Sequence, residues 1–214
     1  MESFEPLARF FHNGGIFMYP IAITLALALA VAVERFLFLM RWKRENRKLW
    51  AEVSPLLAQG DLAGAELLTA SSDTAVAKIL SGGLAQSRID SRRSELEIAT
   101  EEGLMEVLPA IERRTHYLAT FSNVATLLGL LGTVLGLIGA FAALGNADAS
   151  QKADLLSAGI SEAMNCTAFG LMVAIPSLLL HSWLQSRTGE LVDSLESVCS
   201  RFVSSICNPA RAAY

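Results

Sequence analysis

The hydrophobic and polar positions of this chain are arranged in long blocks. Three apolar stretches cover residues 16–40, 118–144 and 159–184, and charged or polar segments separate them. About 20 apolar residues suffice for a helix to cross the hydrocarbon core of a bilayer. The pattern therefore predicts an all-α integral membrane protein with three transmembrane helices.

The polar segment 41–117 shows helical periodicity without strand-like alternation, which predicts a helical domain outside the membrane. Helix breaks are expected at Gln59–Asp61, Ser71–Asp73 and Ser81–Gly83. Asp61 is suited to cap the helix that follows the first break. A longer helix is expected to start near Ser91 and to run on into the second membrane span, with Pro109 as a kink.

The last segment, 185–214, carries an apolar heptad pattern. Its repeating positions are Leu184, Thr188, Leu191, Leu195, Val198 and Phe202. Because such a seam belongs to one continuous helix, the third span is predicted to continue as a long helix from Asp154 to Ser205. At about 1.5 Å per residue this helix is roughly 75 Å long, about twice what a membrane requires.

Charges next to the spans predict the orientation of the chain. A basic cluster follows the first span directly, formed by Arg41, Lys43, Arg44, Arg47 and Lys48. Cations favour the cytoplasmic side, so we expect the N-terminus outside and the C-terminus inside. Residues 1–15 are then expected to form a periplasmic or interfacial segment and not a cleavable signal. Residues 145–158 are expected to hold a short periplasmic loop and the start of the third helix. Glu34 and Arg35 are interpreted as a local pair near the inner interface, with a role in ion transfer as the alternative.

Composition and charge narrow the possible functions. Of 214 residues, 52% are hydrophobic, and the net charge is −4 with no basic stripe, which argues against nucleic acid as a partner. The three cysteines and three histidines are scattered, so the sequence indicates no disulfide, metal site, catalytic residue or cofactor. A membrane enzyme is therefore the least favoured class.

Small and hydroxylated residues stand out within the second and third spans. Four glycines form a stripe at spacings of three and four that is typical of close helix packing: Gly129, Gly132, Gly136 and Gly139. On the third span Gly170 lies on a small-residue face that also carries Thr167. Thr133 lies beside the glycine stripe at a depth similar to that of Thr167. The two threonines are candidates for an ion pathway, although a membrane threonine often bonds only its own helix.

Glu162 is the acid closest to the third span. It is either a carboxylate that interacts with the positive start of the helix or a group that attracts or gates ions. No acid occupies the centre of any span, and threonine does not titrate in the usual range. A proton channel built on this chain would therefore need a carboxylate from another chain.

The span motifs resemble those of the MotA/TolQ/ExbB proton channel family. LLGLLGTVLGLIGAF (127–141) is similar to the family's second-span motif, and GISEAMNCTAFGLMVAIPSLL (159–179) to its third-span motif. VERFLFLMRW (33–42) is similar to the end of the first span in the ExbB and TolQ branch. Three spans with an outside N-terminus also favour this branch over the flagellar MotA branch.

The resemblance implies a stator subunit in the bacterial inner membrane that forms a homo-oligomeric ring, typically a pentamer, around a single-span ExbD/TolR-like partner carrying a membrane aspartate. It implies that Thr133 and Thr167 occupy the threonine positions of the pore and that Glu162 is the third-span glutamate. Such a motor is compatible with nutrient uptake, envelope maintenance, gliding or secretion, and with protons or sodium ions. The alternative is a helical membrane scaffold that conducts nothing.

Overall fold

A computed structural model describes residues 14–145, 148 and 150–208. The regular structure of these residues is entirely α-helical, and the helices are α1 (Met18–Ala58), α2 (Leu62–Ala70), α3 (Ala75–Ile89), α4 (Arg93–Glu112), α5 (His116–Leu144) and α6 (Lys152–Cys207). Helices α1, α5 and α6 are long and apolar enough to cross a membrane. The prediction of an all-α membrane protein with three spans is confirmed. The expected interfacial segment at the N-terminus lies largely outside the described residues.

The chain divides into two compact units. The first unit comprises the chain up to Glu34 together with Arg114–Trp183, and the second comprises Arg35–Arg113 together with the chain from Leu184. The first unit thus holds the apolar part of α1, all of α5 and the first part of α6. Its buried residues include a cluster of Met18, Ile21, Ala125, Cys166, Phe169, Val173 and Ala174.

The second unit is built on the heptad seam of α6. The six seam positions predicted from the sequence are all buried, from Leu184 to Phe202. The Phe202 ring lies so close to Gly83 of α3 that a Cβ there would sit 2.5 Å from it. The helix itself spans Lys152–Cys207 with Pro176 inside, so the prediction of one long continuous helix is confirmed.

Two of the predicted helix breaks are confirmed and a third is wrong. Asp61 caps α2 by accepting a hydrogen bond from the Gly64 amide at 2.9 Å. A break also separates α2 from α3, where Thr74 is the N-cap. In contrast, α3 continues through 81–83, because there Gly82 and Gly83 allow α3 to approach α4 and α6 closely. In this position the two glycines support packing and do not end the helix.

The prediction that the helix from Ser91 runs on into the second span is also wrong. Helix α4 ends at Glu112, and α5 begins at His116 after a turn in which Arg114 adopts a φ of 67°. A non-glycine residue with positive φ is uncommon and interrupts a right-handed helix. Arg114 also pairs with Glu34 at 3.3 Å, which ties this turn to α1 within the first unit.

Glu34 and Arg35, which were interpreted as a local pair, each contact another helix. Glu34 pairs with Arg114, whereas Arg35 is 2% exposed, donates a hydrogen bond to the Ile111 carbonyl and stacks on the Phe38 ring at 4.5 Å. The Arg35 guanidinium lies at the negative C-terminal end of α4, where a cation is favoured.

Helix α3 also receives a cap from another helix. The buried Asn46 of α1 accepts a hydrogen bond from the Val76 amide at 2.8 Å and donates one to the Trp42 carbonyl at 2.8 Å. The first amides of a helix have no partner within it, so a side chain from another element can satisfy them. This contact fixes α3 against α1 inside the second unit.

Candidate functional site

The candidate site lies where α5 and α6 run antiparallel within the first unit. At their closest approach, a Cβ added to Gly170 would lie 2.7 Å from the Ala125 carbonyl oxygen and 3.0 Å from the Gly129 Cα. Both neighbours are backbone atoms, which cannot move aside by a change of rotamer. Only glycine therefore permits this helix spacing at position 170.

The remaining glycines of the stripe differ in what they face. A Cβ on Gly136 would lie 3.2 Å from the Ala163 Cβ, and one on Gly132 would overlap the Cys166 thiol. Gly139 departs from the predicted stripe, since a Cβ there would meet nothing within 4 Å. Helical geometry explains the difference: Ala140, four residues after Gly136, continues the contact and packs on Gly159. Gly159 was not singled out from the sequence, although it lies four residues before Ala163 on the same face.

Thr167 forms a hydrogen bond between the two helices. Its hydroxyl donates to the Gly129 carbonyl at 2.9 Å, and the side chain is half-buried. This bond differs from the usual behaviour of a membrane threonine, which donates to a carbonyl of its own helix. The hydroxyl proton is thus committed within the chain, while the oxygen lone pairs remain able to accept a hydrogen bond.

Thr133 lies beside the contact and at the same level along the helices. Because Gly132 faces Cys166 and Gly136 faces Ala163, the antiparallel register places Thr133 within about one turn of Thr167. Its hydroxyl donates to the Leu130 carbonyl of its own helix at 2.6 Å. The two threonines are therefore at matched depth, both have committed their protons to backbone carbonyls, and neither bonds the other.

Further polar side chains join the helices on one side of this level. The buried Ser122 donates to the Ala174 carbonyl of α6 at 2.8 Å, whereas Ser177 donates to the Val173 carbonyl of its own helix at 2.7 Å. His181 Nδ1 lies 3.0 Å from the Thr115 carbonyl at the start of α5. Ser122 was missed in the sequence, although its spacing of seven from Gly129 places it on the same face.

Glu162 is not at the start of a helix. It lies ten residues after Lys152, where α6 begins, whereas the helix dipole acts on charges within the first turn. The interpretation as a helix-start carboxylate is therefore wrong. The side chain is exposed, and its carboxylate lies against Gly15, where the backbone has a φ of 73°. Gly15 tolerates this contact because it has no side chain to collide with the carboxylate.

The described residues contain no group of three or more histidine, cysteine or acidic side chains placed to hold a metal ion. The features on which the site depends are a glycine contact between two spans, hydroxyls bonded across it, and one acid at its edge. Together with the fold they define an α-helical integral membrane protein.

Comparison with known proteins identifies the class more closely. The pattern of the MotA/TolQ/ExbB proton channel family matches residues 71–197. An ExbB homologue of Methanothermobacter thermautotrophicus is 31% identical over 201 residues, covering 92% of this chain and 70% of that protein. The biopolymer transport protein ExbB of Salmonella typhimurium is 29% identical over 198 residues, covering 84% and 74%. The Tol-Pal system protein TolQ of Haemophilus influenzae is 33% identical over 101 residues, covering 44% of each chain.

The chain belongs to the MotA/TolQ/ExbB proton channel family, in its ExbB/TolQ branch. It is thus a membrane subunit of a proton channel family, as the span motifs indicated.

Proposed function

We propose that this chain is the ring-forming stator and ion-channel subunit of an energy-transducing motor in the bacterial inner membrane. The motor uses the proton-motive force to do mechanical work through a single-span partner of the ExbD/TolR type. The observation that carries this proposal is the pair of hydroxyls at one depth, Thr133 and Thr167, beside a glycine contact that fixes their positions.

The proton-carrying group comes from the partner. Residues 116–144 of α5 and 163–181 of α6 contain no acid, so this chain holds no carboxylate at mid-depth in these spans. A membrane aspartate on the partner supplies the titrating group, as the family resemblance implies. Glu162, exposed at the edge of the apolar stretch, attracts ions toward that group or stabilises the mouth of the path.

The hydrogen bonds of the threonines give the site a preference for one protonation state of that aspartate. Each hydroxyl has already donated its proton to a carbonyl, so toward the partner it acts as an acceptor. A protonated carboxylic acid can donate to it, whereas a carboxylate can only accept. The aspartate is therefore held by the threonines when protonated and released when it loses the proton, which couples proton transfer to movement.

Several copies of the chain surround the partner, with the N-terminus outside and the C-terminus inside. Much of α5 away from α6 is apolar and exposed, for example Leu127 at 63%, Ile138 at 59% and Phe141 at 62%. In the ring, which we expect to be a pentamer, this surface meets neighbouring copies, the partner and lipid, and α5 and α6 line the axis. Native mass spectrometry showing only a monomer, or a reconstruction with α1 at the axis, would contradict the ring.

The matched substitutions Thr167→Val and Thr167→Ser test the proposal. Valine keeps the shape of the side chain but removes the hydroxyl, whereas serine removes the methyl group and keeps the hydroxyl. We expect valine to abolish partner-dependent proton uptake into liposomes while the ring still assembles, and serine to retain most of the activity. Thr133→Val is expected to act in the same direction more mildly.

The second candidate is a helical membrane scaffold that conducts nothing. It is favoured by the fact that the Thr167 bond to Gly129 is itself a packing interaction between two spans. If both valine variants support normal proton uptake at normal abundance, the pathway assignment fails and the scaffold function is preferred.

A further inference from the structure

Two sets of like charges in the second unit have no opposite charge beside them. Glu102 and Glu106 are exposed on α4, and Arg44 and Arg47 are exposed on α1. Within the part of the chain that the structure describes, none of these four side chains forms an ion pair or a hydrogen bond. Like charges three or four residues apart on a helix repel each other, so each set is unfavourable until it meets an opposite charge.

Both sets face away from the core of the unit. At about 100° per residue, Arg44 lies roughly 200° around α1 from the buried Asn46, and Glu102 lies roughly 200° around α4 from the buried Thr100. Met105, which lies between the two glutamates in the sequence, is also exposed, at 62%. The two outward surfaces therefore have opposite charge, and the acidic one has an apolar residue at its side.

The two sets also lie at similar heights along the helices. The hydrogen bond from Arg35 to Ile111 sets the level of α1 against α4, and the helices run antiparallel. Arg44 is nine residues after Arg35 and Glu102 is nine residues before Ile111, so each lies about 13 Å from this contact.

A second tie shifts this register by about six residues, or ~9 Å along the helices. Asn46 bonds the Val76 amide, and Ile79, three residues further along α3, packs on Gly103 of α4. Because α3 and α4 are antiparallel, Val76 is level with Glu106, three residues after Gly103. Glu106 is then level with Asn46, and in either register the four charges lie within about 10 Å of one another along the helices.

We propose that the glutamates of α4, Glu102 and Glu106, bind Arg44 and Arg47 of α1 in the adjacent copy of this chain. This inference rests on the proposed ring. In a closed cyclic ring the same two different surfaces meet at every interface, and rotation about the axis leaves the height of each residue unchanged. The acidic surface of α4 and the basic surface of α1 have opposite charge, lie at similar heights and face outward on different helices. They therefore meet this requirement.

A double-mutant cycle tests the contact through Arg47→Glu, Glu102→Arg and their combination. Either single reversal places like charges together at each interface, and the combined variant restores opposite charges between neighbouring copies. We expect each single reversal to lower the fraction of purified protein in the ring about fivefold or more at low ionic strength, and the combined variant to recover most of it. Asp193→Arg, a reversal at an exposed position of α6, is the matched control and should leave the ring unchanged.

The arginines beside a membrane span have another candidate partner, the headgroups of anionic lipids. In that case Arg47→Glu weakens binding to phosphatidylglycerol vesicles, Glu102→Arg has no effect on the ring, and the combined variant shows no recovery. That result overturns the proposal, as do single reversals that leave the ring intact. If the wild-type chain is a monomer under the same conditions, the proposed ring itself fails, so the two failures are distinguishable.

Disulfide trapping gives an independent geometric test. Arg47→Cys and Glu102→Cys are combined in a chain whose native cysteines, Cys166, Cys199 and Cys207, are replaced by serine. Mild oxidation is expected to produce a ladder of covalent multimers that ends at the size of the ring. Absence of a ladder, with the ring present by native mass spectrometry, overturns the contact.

Discussion

Gly170→Ala is the perturbation that tests most directly whether the contact between α5 and α6 holds the first unit together. The added methyl would lie 2.7 Å from the Ala125 carbonyl oxygen and 3.0 Å from the Gly129 Cα. Ordinary contacts of a Cβ begin near 3.4 Å, so the helices must separate by several tenths of an ångström. Backbone atoms on the other side of the contact prevent local relief.

The energetic cost follows from this displacement. Overpacking a well-packed contact costs about 1–3 kcal/mol. The separation also weakens the hydrogen bond from Thr167 to Gly129, whose net contribution is about 1 kcal/mol. Against this, alanine is favoured over glycine in a helix by about 0.5–1 kcal/mol. We therefore expect a net loss of about 1–3 kcal/mol.

The assay is the thermal midpoint of the detergent-purified protein, followed by tryptophan fluorescence. Gly189→Ala is the matched control, because position 189 lies on the same helix and a Cβ there would meet nothing within 4 Å. It should leave the midpoint unchanged or raise it slightly. If Gly170→Ala behaves like Gly189→Ala, the helices are not in the close contact described and the reasoning is refuted.

Three further predictions concern other parts of the chain. Glu162→Gln should impair proton uptake while leaving the thermal midpoint unchanged, because Glu162 lies beyond the first turn of α6; full activity would remove it from the ion path. Asn46→Leu should destabilise the protein by about 1–2 kcal/mol, since it leaves the buried Val76 amide without its acceptor, and a midpoint equal to wild type would contradict this capping role. Burial raises the pKa of the Cys199 thiol to about 11. Alkylation of Cys199 by iodoacetamide at about pH 8 should therefore be ~100-fold or more slower than alkylation of free cysteine. Equal rates would contradict the raised pKa.

The sequence predicted those features of the fold that depend on periodicity. The three spans and the α6 seam follow from apolar residues repeated at helical spacing, and burial of that face is the main source of helix stability. The matched depth of Thr133 and Thr167 was predicted for the same reason, since counting residues along two antiparallel helices gives their level. The Asp61 cap followed from local hydrogen-bonding chemistry.

The errors arose where tertiary contacts determine local structure. Gly82 and Gly83 resemble a helix break in the sequence, but in α3 they make room for the Phe202 ring and for α4. No glycine or proline marks the turn at Arg114, whose positive φ could not be anticipated. The acceptor of the Thr167 hydroxyl was also unpredictable, because it depends on which carbonyl of the neighbouring helix the glycine contact brings within reach.

The close approach of Gly129 and Gly170 limits how the two spans can move relative to each other. Sliding one helix past the other would force side chains into positions where only a hydrogen atom fits, and would break the bonds from Ser122 and Thr167 at the same time. Tightly packed elements change by discrete repacking and do not deform gradually. The two helices therefore move as one rigid pair, and in the proposed motor any displacement takes place at the other surfaces of that pair.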